Sequence, residues 1–226
     1  MLIPKVTALL FMKKYSERVK NKNIRKFCGK PLFYYIFDTL KESKYISQII
    51  LNTDSKTIAK SVTDLFNVKI HFRPEHLLKI NSNEANQIME YDISLCEGDY
   101  FFQTHSTNPL LTVESIDKSI ETFFSNKDKY DSLFSVNKYQ SRFYYETGVG
   151  INHKKDELIK TQDLPVVYEE NSCIYIFSRR SFSLNKNRIG QSPMFFPLSY
   201  VESCDIDTDD DFKLAEFFMK KKMENL

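Results

Sequence analysis

The sequence predicts an α/β protein with a mostly parallel sheet and helices on both faces. Three observations carry that prediction. Strand-like and helix-like stretches alternate through the first two thirds of the chain. The strand-like stretches, Val6 to Phe11 and Ile46 to Asp54 among them, are apolar or β-branched runs of the kind that form buried strands. A basic stretch from Met12 to Pro31 leaves the end of the first strand, where open α/β sheets bind phosphorylated ligands.

Val6 to Phe11 is the first strand. Pro31 stands where a helix can begin, and Leu32, Tyr35, Ile36 and Leu40 follow at helical spacing. Ile46 to Asp54 is the second strand, and Ser55 starts the helix SKTIAKSVTDLF. Val68 to Phe72 is a third strand, closed by Arg73 and Pro74. Ser82 to Cys96 reads as helix, stopped by Gly98. Asp99 to Thr104 is a fourth strand ending in the polar run QTHSTNP, followed by a helix over Val113 to Ser125 and a strand over Asp131 to Val136. Between Lys138 and Asn171 the alternation breaks: Tyr139 to Lys160, with Arg142, Gly148 and Gly150, reads as an antiparallel excursion that pairs subunits or closes over a ligand. The sheet resumes at Ser172 to Ser178. A short strand at Cys204 to Asp207 then leads into a C-terminal helix, acidic at its start and rich in lysine at its end, which suits the helix dipole. Residues 1–226 thus read as a single domain, with 139–170 as an extension.

Bulk properties narrow the function. With 226 residues, 42% hydrophobic and 27% charged, the balance is that of a globular domain and argues against wholesale disorder. A net charge of +2 is too small for nucleic-acid binding by the whole protein. Cys28, Cys96, Cys173 and Cys204 are far apart without CxxC spacing, so neither a disulfide framework nor a zinc site is expected and a reducing cytosol is the simpler setting. The opening MLIPKVTALLF reads as a strand rather than a signal peptide, and no stretch approaches a membrane span, so a cytoplasmic protein is expected.

The sharpest chemical signal is Cys204-Asp205-Ile206-Asp207-Thr208. In a strand, Asp205 and Asp207 face the same side, and two carboxylates beside a phosphate are what magnesium needs. The same residues also read as a strand end feeding a helix cap, with Asp209 to Asp211 on the helix dipole. The opening loop carries eight basic residues between Lys13 and Lys30 against one acid, Glu17. It lacks the GxxxxGK[ST] pattern, so phosphate binding would rest on side chains such as Lys13, Arg18 and Lys22. Charge alone describes a solvated basic loop equally well. Asn23 could read a base edge or cap a turn. The polar run Gln103 to Asn108 lies on the ligand side of such a sheet, where His105 is either a general base or an ordinary hydrogen-bonding residue.

Taken together these stretches resemble the acylneuraminate cytidylyltransferase family, the enzymes that make CMP-activated sialic and related 2-keto sugar acids. The resemblance runs through KNKNIRKFCGKPL, ILNTDSKTIA, HFRPE, FFQTHSTNPLL, QDLPVVYEENSCIYIF and CDIDTDDDFKLAE, in order along nearly the whole chain. It implies a Rossmann-like nucleotidyltransferase fold, CTP as co-substrate, Mg2+ as cofactor, a small anionic sugar-type acceptor and a homodimer joined through the 139–170 extension. Lys13, Ser16, Arg18 and Lys22 would meet the triphosphate, with Lys22 on the α-phosphate. Asn23 and Arg73 would sit by cytosine and ribose. Gln103, Gln162 and Asn171 would face the acceptor, and Asp205 and Asp207 would hold magnesium. The chain departs from the family where the usual arginine, two glycines, serine and lysine become Lys13-Lys14-Tyr15-Ser16-Glu17. The acidic residue usual shortly after the Arg73-Pro74 pair is missing from LLKINSNE, Leu111 or its neighbour replaces an arginine, and Thr161 replaces another before the QxLP run. Arg142 could supply a replacement charge. The expected reaction is attack of the acceptor oxygen on the α-phosphorus with loss of pyrophosphate, for surface glycan synthesis. Two alternatives remain at this point: a metal-dependent glycosyltransferase using Asp205 and Asp207, and a catalytically silent nucleotide-binding protein.

Overall fold

The computed structural model describes residues 3–16, 18–78 and 85–224. Glu17, the proposed helix start at Ser82 and most of LLKINSNE lie outside the described residues. Strand β1 (Val6–Met12) leads into a turn of 3-10 helix and a two-residue ladder, β2 (Lys26–Phe27) with β3 (Lys30–Pro31). Cys28 and Gly29 connect that ladder, both with positive φ (42° and 93°), as a two-residue hairpin with primed geometry requires. Then follow α1 (Leu32–Glu42), β4 (Ile46–Thr53), α2 (Lys56–Thr63), β5 (Lys69–Phe72), α3 (Ala85–Ser94), β6 (Tyr100–Thr104), α4 (Val113–Asn126) and β7 (Ser132–Tyr139). After a long irregular segment come β8 (Val167–Ser178), α5 (Arg179–Asn185), β9 (Pro193–Pro197) and α6 (Asp209–Glu224).

Local chemistry explains the boundaries. Ser55, Thr112 and Ser178 each accept a bond from the backbone N–H three residues on and so cap α2, α4 and α5. At α6, Thr208 and Asp211 bond each other's backbone N–H at 2.7 and 3.2 Å, a reciprocal capping box.

The main sheet has the order β5-β4-β1-β6-β8-β7-β9. β1 runs parallel to β4 and β6, β4 to β5, and β7 to β9, while β8 is antiparallel to both β6 and β7. The expected mostly parallel α/β sheet is therefore borne out. Alternate residues of β1 divide between two cores. Ala8, Leu10 and Met12 pack with Phe33, Ile36 and Phe37 of α1 and with Ile116 and Ile120 of α4. Leu9 packs on the opposite face with Met89 and Ile93 of α3 and Phe182 of α5. Because β4 and β5 lie on one side of β1 and β6 on the other, the chain reverses its progression between β1 and β6, which opens a crevice at their C-terminal ends.

Three expectations need correction. Cys204 to Asp207 is not a strand: its backbone meets no ladder, and instead Ile206 N–H donates to the Thr107 carbonyl at 3.1 Å. Fully buried Ile206 anchors the segment among Val19, Phe27 and Phe212, a third apolar cluster that joins the opening loop to α6. Asp205 and Asp207 still flank that anchor and reach one side. The excursion at 139–160 is mostly irregular, with a single antiparallel bridge between Tyr144 and Gly150. β8 begins at Val167, five residues before the expected Ser172, and α5 and β9 were not anticipated. No helix among the described residues is long and apolar enough to cross a membrane.

Candidate active site

The crevice at the β1–β6 reversal is a cavity of 530 Å³. Its walls come from the opening loop after β1, from Arg73 after β5, from His105 to Thr107 after β6, from Ser172 on β8, and from Asp205 and Asp207 before α6. Nine residues singled out from the sequence meet there: Lys13, Ser16, Arg18, Lys22, Asn23, Arg73, His105, Asp205 and Asp207.

The opening loop is held to the acidic segment by Lys22. Its Nζ donates to the Ile206 carbonyl at 2.6 Å and lies 3.3 Å from Asp207 Oδ1, with only 15% of the side chain exposed. Arg18 Nη2 reaches the same carboxylate oxygen at 2.9 Å from a far more exposed position. Asn23 braces the loop: its amide donates to the Lys13 carbonyl at 3.2 Å and its oxygen accepts from Ser106 Oγ at 2.6 Å. The amide that could have read a base edge is thus engaged within the protein. Asn21, with φ 53°, makes the turn that presents Lys22 and Asn23.

Arg73 is buried along its length. Its Nε donates to Asn52 Oδ1 at 3.0 Å, and its Nη2 has no partner among the described residues. Burial lowers its pKa from the usual value. Asn52 is oriented in turn by Asp92, which accepts from the Asn52 amide and from His71 Nδ1, each at 2.9 Å. Asp205 accepts from Asn108 at 3.3 Å. Desolvation raises its pKa above the ordinary carboxylate value, opposed by a hydrogen bond from Thr107 and by the Lys22 charge. His105 is pushed down to about 3, first by burial and then by the charges of Arg188 and Lys22. It is therefore neutral near pH 7 and unsuited to general-base work.

The four proposed acceptor residues do not line this cavity. Gln103 is fully buried, and Asn171 turns its side chain to Ser135 and Asn137. Arg142 donates to the Ile159 carbonyl and Gln162 accepts on its backbone from Gln140, both on the extension. The cavity residue in that part of β8 is Ser172. It has φ 58° inside a bulge where the β7–β8 register shifts, and such bulges re-aim side chains. The sequence holds no signal for that bulge.

Asp205 and Asp207 form the available hard-oxygen donor set, and no group of three or more His, Cys, Asp or Glu suited to a metal occurs among the described residues. Two carboxylates on the wall of a basic cavity fit magnesium shared with a polyphosphate, because that ion keeps waters and takes ligands from substrate. They do not fit a metal caged by protein alone.

A basic loop faces paired aspartates across the reversal point of a mostly parallel sheet, an arrangement suited to holding a polyphosphate and a cation. A family model described as Cytidylyltransferase matches residues 7–220, and the chain belongs to that family. It is 28% identical over 217 residues to post-translational flagellin modification protein B of Campylobacter coli, covering 92% of each chain. It is 29% identical over 217 residues to CMP-N,N'-diacetyllegionaminic acid synthase of Campylobacter jejuni, again covering 92% of each. Among solved structures, CMP:2-keto-3-deoxy-manno-octonic acid synthetase complexed with CTP superposes with a TM-score of 0.70 at 10% identity, covering 96% of this chain and 99% of that one, a likeness of fold. The family resemblance read from the motifs is borne out, and the glycosyltransferase and silent-protein alternatives are not favoured.

Proposed function

We propose that this enzyme transfers CMP from CTP to a sugar acid and releases pyrophosphate, as an activating step in surface glycan synthesis. The observation that carries the reading is the convergence of Lys13, Arg18 and Lys22 with Asp205 and Asp207 on one 530 Å³ cavity. The name of one Campylobacter relative, CMP-N,N'-diacetyllegionaminic acid synthase, supplies the acceptor class.

In this reading an oxygen of the acceptor attacks the α-phosphorus, a new P–O bond forms, and the bond to the β-phosphate bridging oxygen breaks. Catalysis is charge compensation and alignment rather than covalent participation of a side chain. Lys22, anchored on Ile206, holds a fixed cation at the α-phosphate. Arg18 and Lys13, both on the exposed part of the loop, meet the β- and γ-phosphates with Ser16. Arg73, whose Nη2 has no partner among the described residues, and the braced Asn23 shape the base and ribose end. Asp205 and Asp207 would hold Mg2+, which when bound neutralises charge on the phosphates. Arg18 then leaves Asp207 for phosphate.

The 139–170 extension is the proposed dimer contact. It exposes Tyr144, Tyr145, Val149 and Leu158, the last to 95%, apolar side chains available to a partner. Arg142 and Gln162 would serve the neighbouring subunit's acceptor pocket, while Gln103 and Asn171 act from beneath their own.

The test is pyrophosphate release from CTP and magnesium across a panel of 2-keto sugar acids. Turnover is expected with at least one acceptor and is expected to fall by about 10²-fold or more in folded Lys22→Ala and Asp207→Asn proteins. Wild-type turnover in both variants would remove the site assignment.

A further inference from the structure

Under the cavity floor lies a cation that the proposed chemistry does not use. Arg188, in the loop between α5 and β9, stacks on Tyr175 with its guanidinium carbon 3.5 Å from the ring centroid. Its Nη2 is 3.6 Å from Glu170, and its Nη1 donates to Gln103 Oε1 at 2.6 Å. The Gln103 amide nitrogen meets the Thr104 carbonyl at 3.2 Å and His105 Nε2 at 3.0 Å.

These partners leave the amide a single orientation. A guanidinium only donates, so Gln103 must present oxygen to it. The amide nitrogen then has two hydrogens, one for the Thr104 carbonyl and one for His105. The reverse orientation would set N–H groups against Arg188 and an oxygen against the Thr104 carbonyl. His105 Nε2 consequently accepts, and the neutral ring carries its proton on Nδ1. Protonating Nε2 would oppose two donors, which agrees with the low basicity that burial and the Arg188 and Lys22 charges already impose. Nδ1 has no protein partner among the described residues, and the ring lines the cavity.

We infer that Arg188 is a positioning residue which, through the Gln103 amide, holds His105 as the Nδ1–H tautomer so that the ring offers a fixed neutral donor to an oxygen of the bound reactants. This deepens the proposed function and rests on it for the identity of those reactants. A neutral donor serves here because the cavity already carries Lys13, Arg18, Lys22 and Arg73. The oxygen belongs to a phosphate or to the sugar acid, and kinetics separate the two.

The tautomer is read from long-range proton–nitrogen correlation spectra of nitrogen-15 histidine-labelled protein, with His105→Asn identifying the resonance among four histidines. Wild-type protein is expected to show protonated Nδ1 and bare Nε2 from pH 6 to 8. Arg188→Met is expected to mix in the Nε2–H form and to lower kcat by roughly 10- to 100-fold, because a misaimed group costs up to about that factor. Gln103→Leu, which leaves Arg188 on Tyr175 and Glu170, is expected to do the same and decides the matter if Arg188→Met fails to fold. His105→Asn, whose amide nitrogen can stand in for Nδ1–H, is expected to retain activity within about tenfold, and His105→Ala to lose about 10²-fold. A rise in the CTP KM in His105→Ala assigns the donor to phosphate, and a rise in the acceptor KM assigns it to the sugar acid. An Nε2–H tautomer in wild-type protein, or an unchanged tautomer in a folded Arg188→Met or Gln103→Leu protein, overturns the inference. Absence of CTP turnover in wild-type protein would instead overturn the proposed function and leave the tautomer result standing.

Discussion

Replacing Lys22 by methionine separates two jobs that one ammonium performs. Methionine keeps the apolar stem and removes the charge and its donors. The lost bond to the Ile206 carbonyl, 2.6 Å long with the side chain 15% exposed, is of the charge-assisted kind, at about 1.5–3 kcal/mol. The pair with Asp207 adds less than about 1 kcal/mol, since that carboxylate is 40% exposed and screened. The carbonyl bond therefore dominates, and roughly 2 kcal/mol should be lost. For a chain of this size each kcal/mol moves Tm by about 2–4 °C, so a fall of roughly 4–8 °C is expected without nucleotide. Loss of a fixed cation at the α-phosphate should independently lower kcat by about 10²- to 10³-fold. Thermal unfolding and pyrophosphate release at saturating CTP read the two effects separately. A Tm within a degree of wild type would refute the Ile206 anchor, and an unchanged kcat would refute the phosphate role.

Arg18→Ala should behave differently: its pair with Asp207 is largely exposed, so Tm should stay within about 1 °C while the CTP KM rises about tenfold in initial-rate assays. Asp92→Ala should cost about 3–5 kcal/mol in urea unfolding, because the buried Asn52 amide and His71 ring both lose their acceptor; an effect below 1 kcal/mol would show that the brace under Arg73 is not needed. For His105, whose pKa in the folded protein is about 3 against 6.5 in the unfolded chain, the unfolded state binds the extra proton between those limits. Its contribution is present above pH 6.5 and is lost as pH falls, at up to about 1.4 kcal/mol per unit. Wild-type protein should thus lose about 1 kcal/mol more than His105→Asn between pH 7 and 5.5, and identical curves would exclude the shift.

Much of the fold was legible because local and tertiary signals agree. Val6 to Phe11 reads as a buried strand and lies within one, Val6–Met12, paired on both sides, and Ser55 caps the helix it was expected to start. β9 escaped because Pro193–Pro197 carries proline at both ends, which argues against a strand unless it lies at an edge. It does lie there, pairing only with β7. α5 escaped because seven residues are too few to show a period. Cys204 to Asp207 misled for a more instructive reason. The acid–apolar–acid alternation is real, but it reflects one buried isoleucine between two cavity-facing carboxylates rather than a strand.

The site divides along the same line. The residues of the opening loop and the acidic segment that charge and spacing mark do line the cavity. On the acceptor side, Gln103 does not reach the cavity, whereas His105, two residues further on, lines it. Gln103 stands in register with Leu9 on one side and Tyr175 on the other, and register partners share a face. Leu9 and Tyr175 both belong to the core beneath the sheet, so Gln103 must point there too, away from the crevice. His105 follows the end of β6 and is free to turn into it. No reading of a single segment could place Arg188 beside Gln103, because their 85-residue separation is closed only when β8 inserts antiparallel against β6 and α5 returns the chain under it. The sheet register thus turns Gln103 into the core, while His105, beyond the strand end, lines the cavity.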